Sequence, residues 1–146
     1  MTVQELKTAF ETAYNQVADA VYFAPGRVNL IGEHTDYNGG SVFPCALSFG
    51  TYLLLRKNNT KFVNFRSLNQ PEVISLGLNQ LTTPLDKSWV NYPLGVFAQF
   101  IKRNVEIKSG YDILIWGNVP NGAGLSSSAA LEVVTAFALN DQLGTG

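Results

Sequence analysis

The chain contains the polar stretch Gly26-Arg27-Val28-Asn29-Leu30-Ile31-Gly32-Glu33-His34-Thr35-Asp36-Tyr37-Asn38-Gly39-Gly40. The segments before and after this stretch must fold around it. It holds an arginine, two carboxylates, the only histidine and four glycines. In a core strand, each polar group buried without a hydrogen-bond partner would cost about 1–3 kcal/mol of stability. Glycine lets the backbone turn tightly and approach a ligand closely. The stretch therefore predicts a loop that offers hydrogen bonds to a polar small molecule, although an ordinary surface turn has a similar composition.

The composition of the chain is that of one folded domain. Its 146 residues are 46% hydrophobic and 14% charged, which is enough for a hydrophobic core. The net charge of −1 and the lack of a Lys/Arg cluster argue against nucleic-acid binding. No apolar run approaches the roughly 20 residues of a membrane span, and the amino terminus lacks a signal-peptide core. The single cysteine, Cys45, fits a reducing cytosol and is expected to be a small buried hydrophobe. We therefore expect a cytoplasmic protein that binds neither nucleic acid nor membrane.

The first half of the chain has the pattern of one helix followed by short strands. Thr2 and Glu5 form a capping-box pattern, and apolar residues then recur at helical spacing, so we predict an amphipathic helix from Thr2 to about Gln16. Alternation and strand-forming residues predict a β-rich meander behind this helix. Its strands are expected at Ala20–Ala24, Val28–Ile31, Ser41–Pro44, Phe49–Arg56, around Val63 and Phe65, and at Val73–Leu76, with a turn at Asn58–Thr60.

Two further helices and a strand are predicted in the second half. A helix is expected from near Asn91 to Arg103, with Pro93 tolerated in its first turn. A strand follows at Tyr111–Trp116, with Ile113 and Ile115 on one face. The final helix, from about Ser127 to Leu143, is apolar nearly all round and is therefore expected to be buried. The predicted class is α+β, with one mixed or antiparallel sheet packed against helices.

A second polar motif lies between the last predicted strand and the last predicted helix. Its sequence is Pro120-Asn121-Gly122-Ala123-Gly124-Leu125-Ser126-Ser127-Ser128-Ala129-Ala130. Free N–H groups and partial positive charge at a helix start attract phosphate, and glycines allow its close approach. One serine hydroxyl can ligate magnesium, although serine is also a common helix cap. No Walker Gly-Lys-Ser/Thr is present. A Rossmann fingerprint is disfavoured because Ser127 replaces its third glycine and Asp141 falls within the helix. The motif therefore favours a nucleoside triphosphate.

Together these motifs resemble a known enzyme superfamily. Residues 120–130 resemble the phosphate-binding motif of the GHMP kinases, which include galactokinase and the homoserine, mevalonate and phosphomevalonate kinases. Residues 26–40 are similar to the galactokinase signature within that superfamily. Both motifs occur in the family's order and approximate spacing, and the resemblance extends along essentially all 146 residues. It implies a GHMP-kinase N-terminal domain over residues 1–146, of the ribosomal protein S5 domain 2-like type.

The resemblance implies ATP- and magnesium-dependent phosphorylation of α-D-galactose at its 1-hydroxyl, giving galactose 1-phosphate and ADP. By matching positions, Arg27 would stabilise the negative charge of the transition state. Polar residues of the first motif would hydrogen-bond the sugar, and Tyr37 would pack against it. The substrate-binding residues are Glu33, His34, Thr35, Asp36 and Tyr37. The ATP-binding residues are Pro120, Gly122, Ala123, Gly124, Leu125, Ser126, Ser127 and Ser128, with Ser128 also the magnesium ligand.

The chain also departs from the family, because galactokinases are much longer. The catalytic aspartate, the acidic magnesium ligand, the third motif and the C-terminal GHMP domain would all lie beyond Gly146. We therefore expect a truncated N-terminal part that is inactive alone and can self-associate through exposed core. Two other functions stay open: an N-acetylgalactosamine or other GHMP sugar kinase, and a non-catalytic sensor of galactose and ATP. The intact Ser126-Ser127-Ser128-Ala129-Ala130 run disfavours the sensor, whose relatives are altered there.

Overall fold

The computed structural model describes residues 2–25, 49–118 and 124–144, and for residues 124–127 it describes the backbone only. The described residues form helices and strands in an α+β arrangement. Helix α1 is Val3–Tyr14, α2 is Asn91–Lys102 and α3 is Gly124–Leu143. The strands are β1 Ala20–Pro25, β2 Gly50–Lys57, β3 Phe62–Ser67, β4 Val73–Gly77 and β5 Tyr111–Gly117, and a 3₁₀ turn, Leu78–Gln80, follows β4.

The five strands form one mixed sheet in the order β1-β2-β5-β3-β4. Three of the pairings are antiparallel, and β3 and β5 run parallel, with Phe65 opposite Ile113. The predicted meander is therefore wrong at one point, since β5 inserts between β2 and β3. Asp112 accompanies this insertion: its carboxylate accepts bonds from Arg56 of β2 at 3.2 Å and Asn64 of β3 at 2.8 Å. Charge-assisted bonds to both neighbours fix the register of β5.

Both faces of the sheet are covered, so its central strands are apolar at successive positions. On one face α1 packs Leu6 and Phe10 against residues that include Leu54 and Leu114. On the other face α2 and α3 cover a larger core, in which Phe97 meets Phe65 edge to face, with ring centroids 5.8 Å apart. A sheet buried on both sides loses the alternation of a half-exposed strand. This explains the run Leu53-Leu54-Leu55, all three of which are fully buried.

Most of the predicted elements are confirmed to within one or two residues. The capping box is present: the Glu5 N–H donates to Thr2 Oγ1 at 3.1 Å, and the Thr2 N–H donates to Glu5 Oε1 at 2.6 Å. The turn after β2 is also present, with Asn59 in the left-handed region at a φ of 56°. The strands predicted at Val28–Ile31 and Ser41–Pro44, and the burial of Cys45, fall outside the described residues.

The prediction for the last helix is wrong in two respects. Helix α3 begins at Gly124 and not at about Ser127, so the serine run lies within its first turns. Its burial is also one-sided: Leu131 and Val134 are buried, whereas Val133 and Phe137 are 44% and 52% exposed. The sheet and α2 cover only part of the helix surface, and residues four apart share one face. None of the described helices is long and apolar enough to cross a membrane.

Candidate functional site

The strands that lead into the two sequence motifs, β1 and β5, end at the same edge of the sheet. Because β1 and β5 are both antiparallel to β2, they point the same way and end at the same edge. Pro25, the last residue of β1, pairs with Gly50, and Gly117, the last residue of β5, pairs with Thr51. Two strand spacings separate β1 from β5, or about 10 Å. The residue before the first motif and the strand end before the second motif thus lie about 10 Å apart, which is the span of a small ligand.

Gly50 lies between these two strand ends, at a position where any side chain would clash with β1. Its φ is +154°, in a region that side chains disfavour, and an added Cβ would lie 2.2 Å from the carbonyl oxygen of Ala24. The same atom would lie 2.6 Å from the Phe23 ring. The missing side chain allows β1 and β2 to approach closely just before the first motif. The sequence pattern gave no sign of this, since Gly50 appeared only as the start of an apolar strand.

Two asparagine amides hold the end of β5. The Gly50 N–H donates to Asn118 Oδ1 at 2.7 Å, and the Asn118 N–H donates to the Gly50 carbonyl at 3.1 Å. On the other side of β5, the Gly117 N–H donates to Asn69 Oδ1 at 2.7 Å and Asn69 Nδ2 donates to the Gly117 carbonyl at 2.9 Å. The strand end that leads to the second motif is therefore bonded on both sides.

The starts of two helices also lie near this edge. Helix α3 begins six residues after Asn118, so its first turn is within about 20 Å of the sheet edge. Ser128, the predicted magnesium ligand, is half-buried in the second turn of α3. The start of α2 is held by Ser88, whose hydroxyl donates to Glu72 at 2.6 Å, directly before β4. Helix N-termini carry partial positive charge, and this favours an anionic ligand.

Trp89, at the start of α2, has an unused hydrogen-bond donor. Within the described ranges its indole Nε1 is the only buried side-chain nitrogen or oxygen without a hydrogen-bond partner. Buried donors are nearly always paired, so an orphaned one calls for an explanation. The indole packs against the larger core, so its unpaired N–H is covered by protein and is not assigned to the candidate site. In the sequence, Trp89 lies just before the predicted helix and shows no sign of an unpaired donor.

A polar clamp joins α3 to β1. The Tyr22 hydroxyl donates to Asp141 Oδ2 at 2.6 Å and accepts from Gln142 Nε2 at 3.0 Å. Desolvation, together with the bond to Asp141, raises the pKa of Tyr22 to about 12, so this hydroxyl stays a donor at neutral pH. The clamp fixes the helix that follows the second motif onto the strand that precedes the first.

A cavity of about 700 Å³ between α2 and α3 lies apart from the strand ends described above. It is lined by Val96, Gln99, Phe100, Arg103, Val105, Ala136 and Asn140. Arg103 and Val105 follow the carboxyl end of α2, whereas the site edge lies at its start. We therefore do not assign this cavity to the candidate site.

Most of the predicted site residues fall outside the described ranges. These are Arg27, Glu33, His34, Thr35, Asp36, Tyr37, Pro120, Gly122 and Ala123. Gly124, Leu125, Ser126 and Ser127 are described as α3 backbone only. In the part of the chain that is described, no three His, Cys, Asp or Glu residues cluster as a metal site. The individual roles of the predicted residues stay predictions.

Comparison with known families identifies both motif regions. Residues 8–57 match the galactokinase galactose-binding signature. Residues 91–146 match the GHMP kinases N-terminal domain. The two matched segments contain the two motifs and the strand ends from which they begin.

Individual relatives agree with these matches. The chain is 48% identical over 141 residues to galactokinase from Clostridium beijerinckii and 54% identical over 122 residues to that from Fusobacterium nucleatum. These alignments cover 95% and 82% of the chain, but only 36% and 31% of the relatives, so the chain spans about a third of their length. The crystal structure of Lactococcus lactis galactokinase complexed with galactose superimposes with a TM-score of 0.75 at 34% identity, covering 95% of this chain and 37% of that one.

Proposed function

The chain belongs to the GHMP kinase family, and from this premise we propose that it supplies the galactose-binding and phosphate-binding parts of a galactokinase. The reaction is transfer of the γ-phosphoryl group of ATP to the 1-hydroxyl of α-D-galactose, giving galactose 1-phosphate and ADP. The observation that carries the proposal is that β1 and β5, the strands that precede the two motifs, end at one edge of the sheet, with Gly50 between their ends. A phosphoryl transfer needs its two substrates side by side, since catalysis rests on positioning and charge stabilisation.

In this proposal the first motif selects the sugar. Glu33 and Asp36 accept hydrogen bonds from sugar hydroxyls, His34 and Thr35 add further bonds, and Tyr37 packs against the ring. Buried charged acceptors discriminate epimers strongly, because a misplaced hydroxyl leaves them unpaired. The complex of the Lactococcus lactis relative with galactose supports this assignment.

The second motif holds the nucleotide. GHMP kinases use ATP, and the residues from Pro120 to Ser128 wrap its phosphates at the start of α3. Ser128 ligates Mg²⁺, which neutralises charge on the phosphates. Arg27 stabilises the charge that develops on the transferring group.

Four further properties belong to the same proposal. Residues 1–146 form one GHMP N-terminal domain, and the protein is cytoplasmic and binds no nucleic acid. The isolated chain self-associates at high concentration, a prediction supported by the exposed Val133 and Phe137 side chains on α3.

Calorimetric titration of the purified chain tests the substrate assignment. Galactose is compared with glucose, which differs only at its 4-hydroxyl, and with N-acetylgalactosamine, in the presence of ATP and magnesium. We expect galactose to bind at least about tenfold more tightly than glucose. Glu33→Gln should remove this preference, whereas Glu106→Gln, a matched change on an exposed loop, should leave it intact. Equal affinity for galactose and glucose would refute the assignment, and a preference for N-acetylgalactosamine would favour that kinase instead.

A chimera tests catalysis separately from binding. Residues 1–146 are joined to the remainder of the Clostridium beijerinckii galactokinase, of which the chain matches 36%. Galactose-dependent ADP release is expected, with none from glucose. A folded chimera that binds both ligands without turnover would contradict the kinase proposal and favour the sensor.

A further inference from the structure

Beyond Ser67 the parallel pairing of β3 with β5 continues through a side chain. The Leu68 N–H donates to the Ile115 carbonyl at 2.9 Å, as expected of a parallel ladder. The next backbone groups on that side of β5, the N–H and C=O of Gly117, bind the Asn69 amide at 2.7 and 2.9 Å. The side chain of Asn69 therefore takes the place of one more residue of β3.

The local sequence explains why a side chain takes this role. The Asn69 N–H itself turns back to Ser67 Oγ at 3.0 Å, and the main chain leaves the sheet there. An asparagine amide offers a donor and an acceptor side by side, as a peptide group does. It can therefore bind both groups of Gly117 where the backbone no longer can.

We infer that Asn69 is a positioning residue for nucleotide binding. By holding Gly117 from one side, while Asn118 binds Gly50 on the other, it fixes the point and direction at which the chain leaves β5 for residues 120–130. Asn69 acts through Gly117, the residue whose N–H and C=O it binds. The inference rests on the proposed function of residues 120–130 as the phosphate-binding segment.

This role differs from a general contribution to stability. Both Asn69–Gly117 bonds are exposed, so water can replace them when the amide is removed. Removal of the Asn69 amide should therefore change the free energy of global unfolding little, while the end of β5 loses its fixed position. Strand ends open locally at lower cost than the core, and such opening is measurable by amide exchange.

The test compares Asn69→Ala with Asn79→Ala in the 146-residue chain. Asn79 is exposed and lies at the opposite edge, beside Leu78, whose N–H donates to Lys61. In Asn69→Ala we expect amide exchange of Gly117 and Asn118 to accelerate roughly three- to tenfold, with Leu114 unchanged. The Kd for ATP with magnesium should rise by a similar factor, and the Kd for galactose by less than about twofold. Asn79→Ala should change none of these.

A conservative variant sharpens the result. Asn69→Asp keeps the acceptor for the Gly117 N–H, so protection of that amide should return towards its original value. Unchanged Gly117 exchange in Asn69→Ala, or acceleration spread across the whole sheet, would overturn the inference. If the original chain binds no ATP, the proposed function fails, while the exchange data still decide whether Asn69 holds the end of β5.

Discussion

The substitution Gly50→Ala bears most directly on the geometry of the candidate site. The new Cβ would lie 2.2 Å from the Ala24 carbonyl oxygen and 2.6 Å from the Phe23 ring. Ordinary carbon contacts begin near 3.4 Å, so β1 must retreat from β2 by about 1 Å. Both strand ends that flank Gly50 lead to a motif, so a shift here displaces them relative to each other.

The stability cost follows from two terms. Forcing extra volume between packed strands costs about 1–3 kcal/mol, and a side chain at a φ of +154° adds about 1–3 kcal/mol of backbone strain. We therefore expect Gly50→Ala to lower the free energy of unfolding by about 2–6 kcal/mol, a large part of the 5–15 kcal/mol typical of a domain.

Gly95→Ala is the matched control. Gly95 lies within α2, and a Cβ there would meet nothing within 4 Å. Alanine favours a helix over glycine by about 1 kcal/mol, so this variant should be stabilised. Urea denaturation should therefore show a lower free energy of unfolding for Gly50→Ala and a higher one for Gly95→Ala, although both replace glycine by alanine. A Gly50→Ala protein as stable as the original would refute the close approach of β1 and β2.

Three further predictions concern the buried carboxylate, high pH and the orphaned indole. Asp112→Ala should cost about 1–3 kcal/mol in urea denaturation, because half-buried donors such as Arg56 and Asn64 lose their acceptor, whereas Glu106→Ala, from an exposed pair, should cost less than about 0.5 kcal/mol. Equal costs would contradict the Asp112 network. Burial raises the pKa of Tyr14, so the folded state keeps this proton longer than the unfolded state, and stability should fall as pH rises above about 10. The free energy of unfolding of Tyr14→Phe should fall less steeply over the same pH range. Parallel plots of this free energy against pH for the two proteins would contradict the role of Tyr14. Trp89→Phe should lower the free energy of unfolding by only about 1–2 kcal/mol, because the smaller ring loses packing against the core while no hydrogen bond within the described residues is broken. A loss above about 3 kcal/mol in urea denaturation would contradict the unpaired state of the indole N–H.

Local signals in the sequence were sufficient to locate the described helices and strands. The capping box placed the start of α1, and runs such as Leu53–Leu55 placed the strands. These features depend on residues a few positions apart, which a single sequence displays directly.

Long-range pairing left no such signal. The insertion of β5 between β2 and β3 is accompanied by Asp112 bonding across to Arg56 and Asn64, which are 56 and 48 positions away. Residues separated by so many positions form no pattern that can be recognised in a single sequence. The exposed face of α3 was likewise unpredictable, because an apolar helix does not reveal which neighbours will cover it.

The candidate site divides in the same way. The chemistry of the two motifs could be predicted from the sequence because glycines, serines and charged residues are concentrated there. The supporting residues Gly50 and Asn69 were missed, since their roles depend on partners from distant strands. The unpaired Trp89 N–H, which is not assigned to the site, was missed for a similar reason, because the absence of an acceptor is a property of the folded chain.

The most direct test of the central claim is backbone amide NMR of the chain during separate titrations with galactose and with ATP and magnesium. If both ligands share the edge where β1 and β5 end, each should shift the amides of Gly50, Thr51, Gly117 and Asn118. The amides of Lys57, Asn58 and Tyr111, at the opposite edge, should not move. Galactose and ATP shifts at opposite edges of the sheet would contradict the claim that the two motifs form one site.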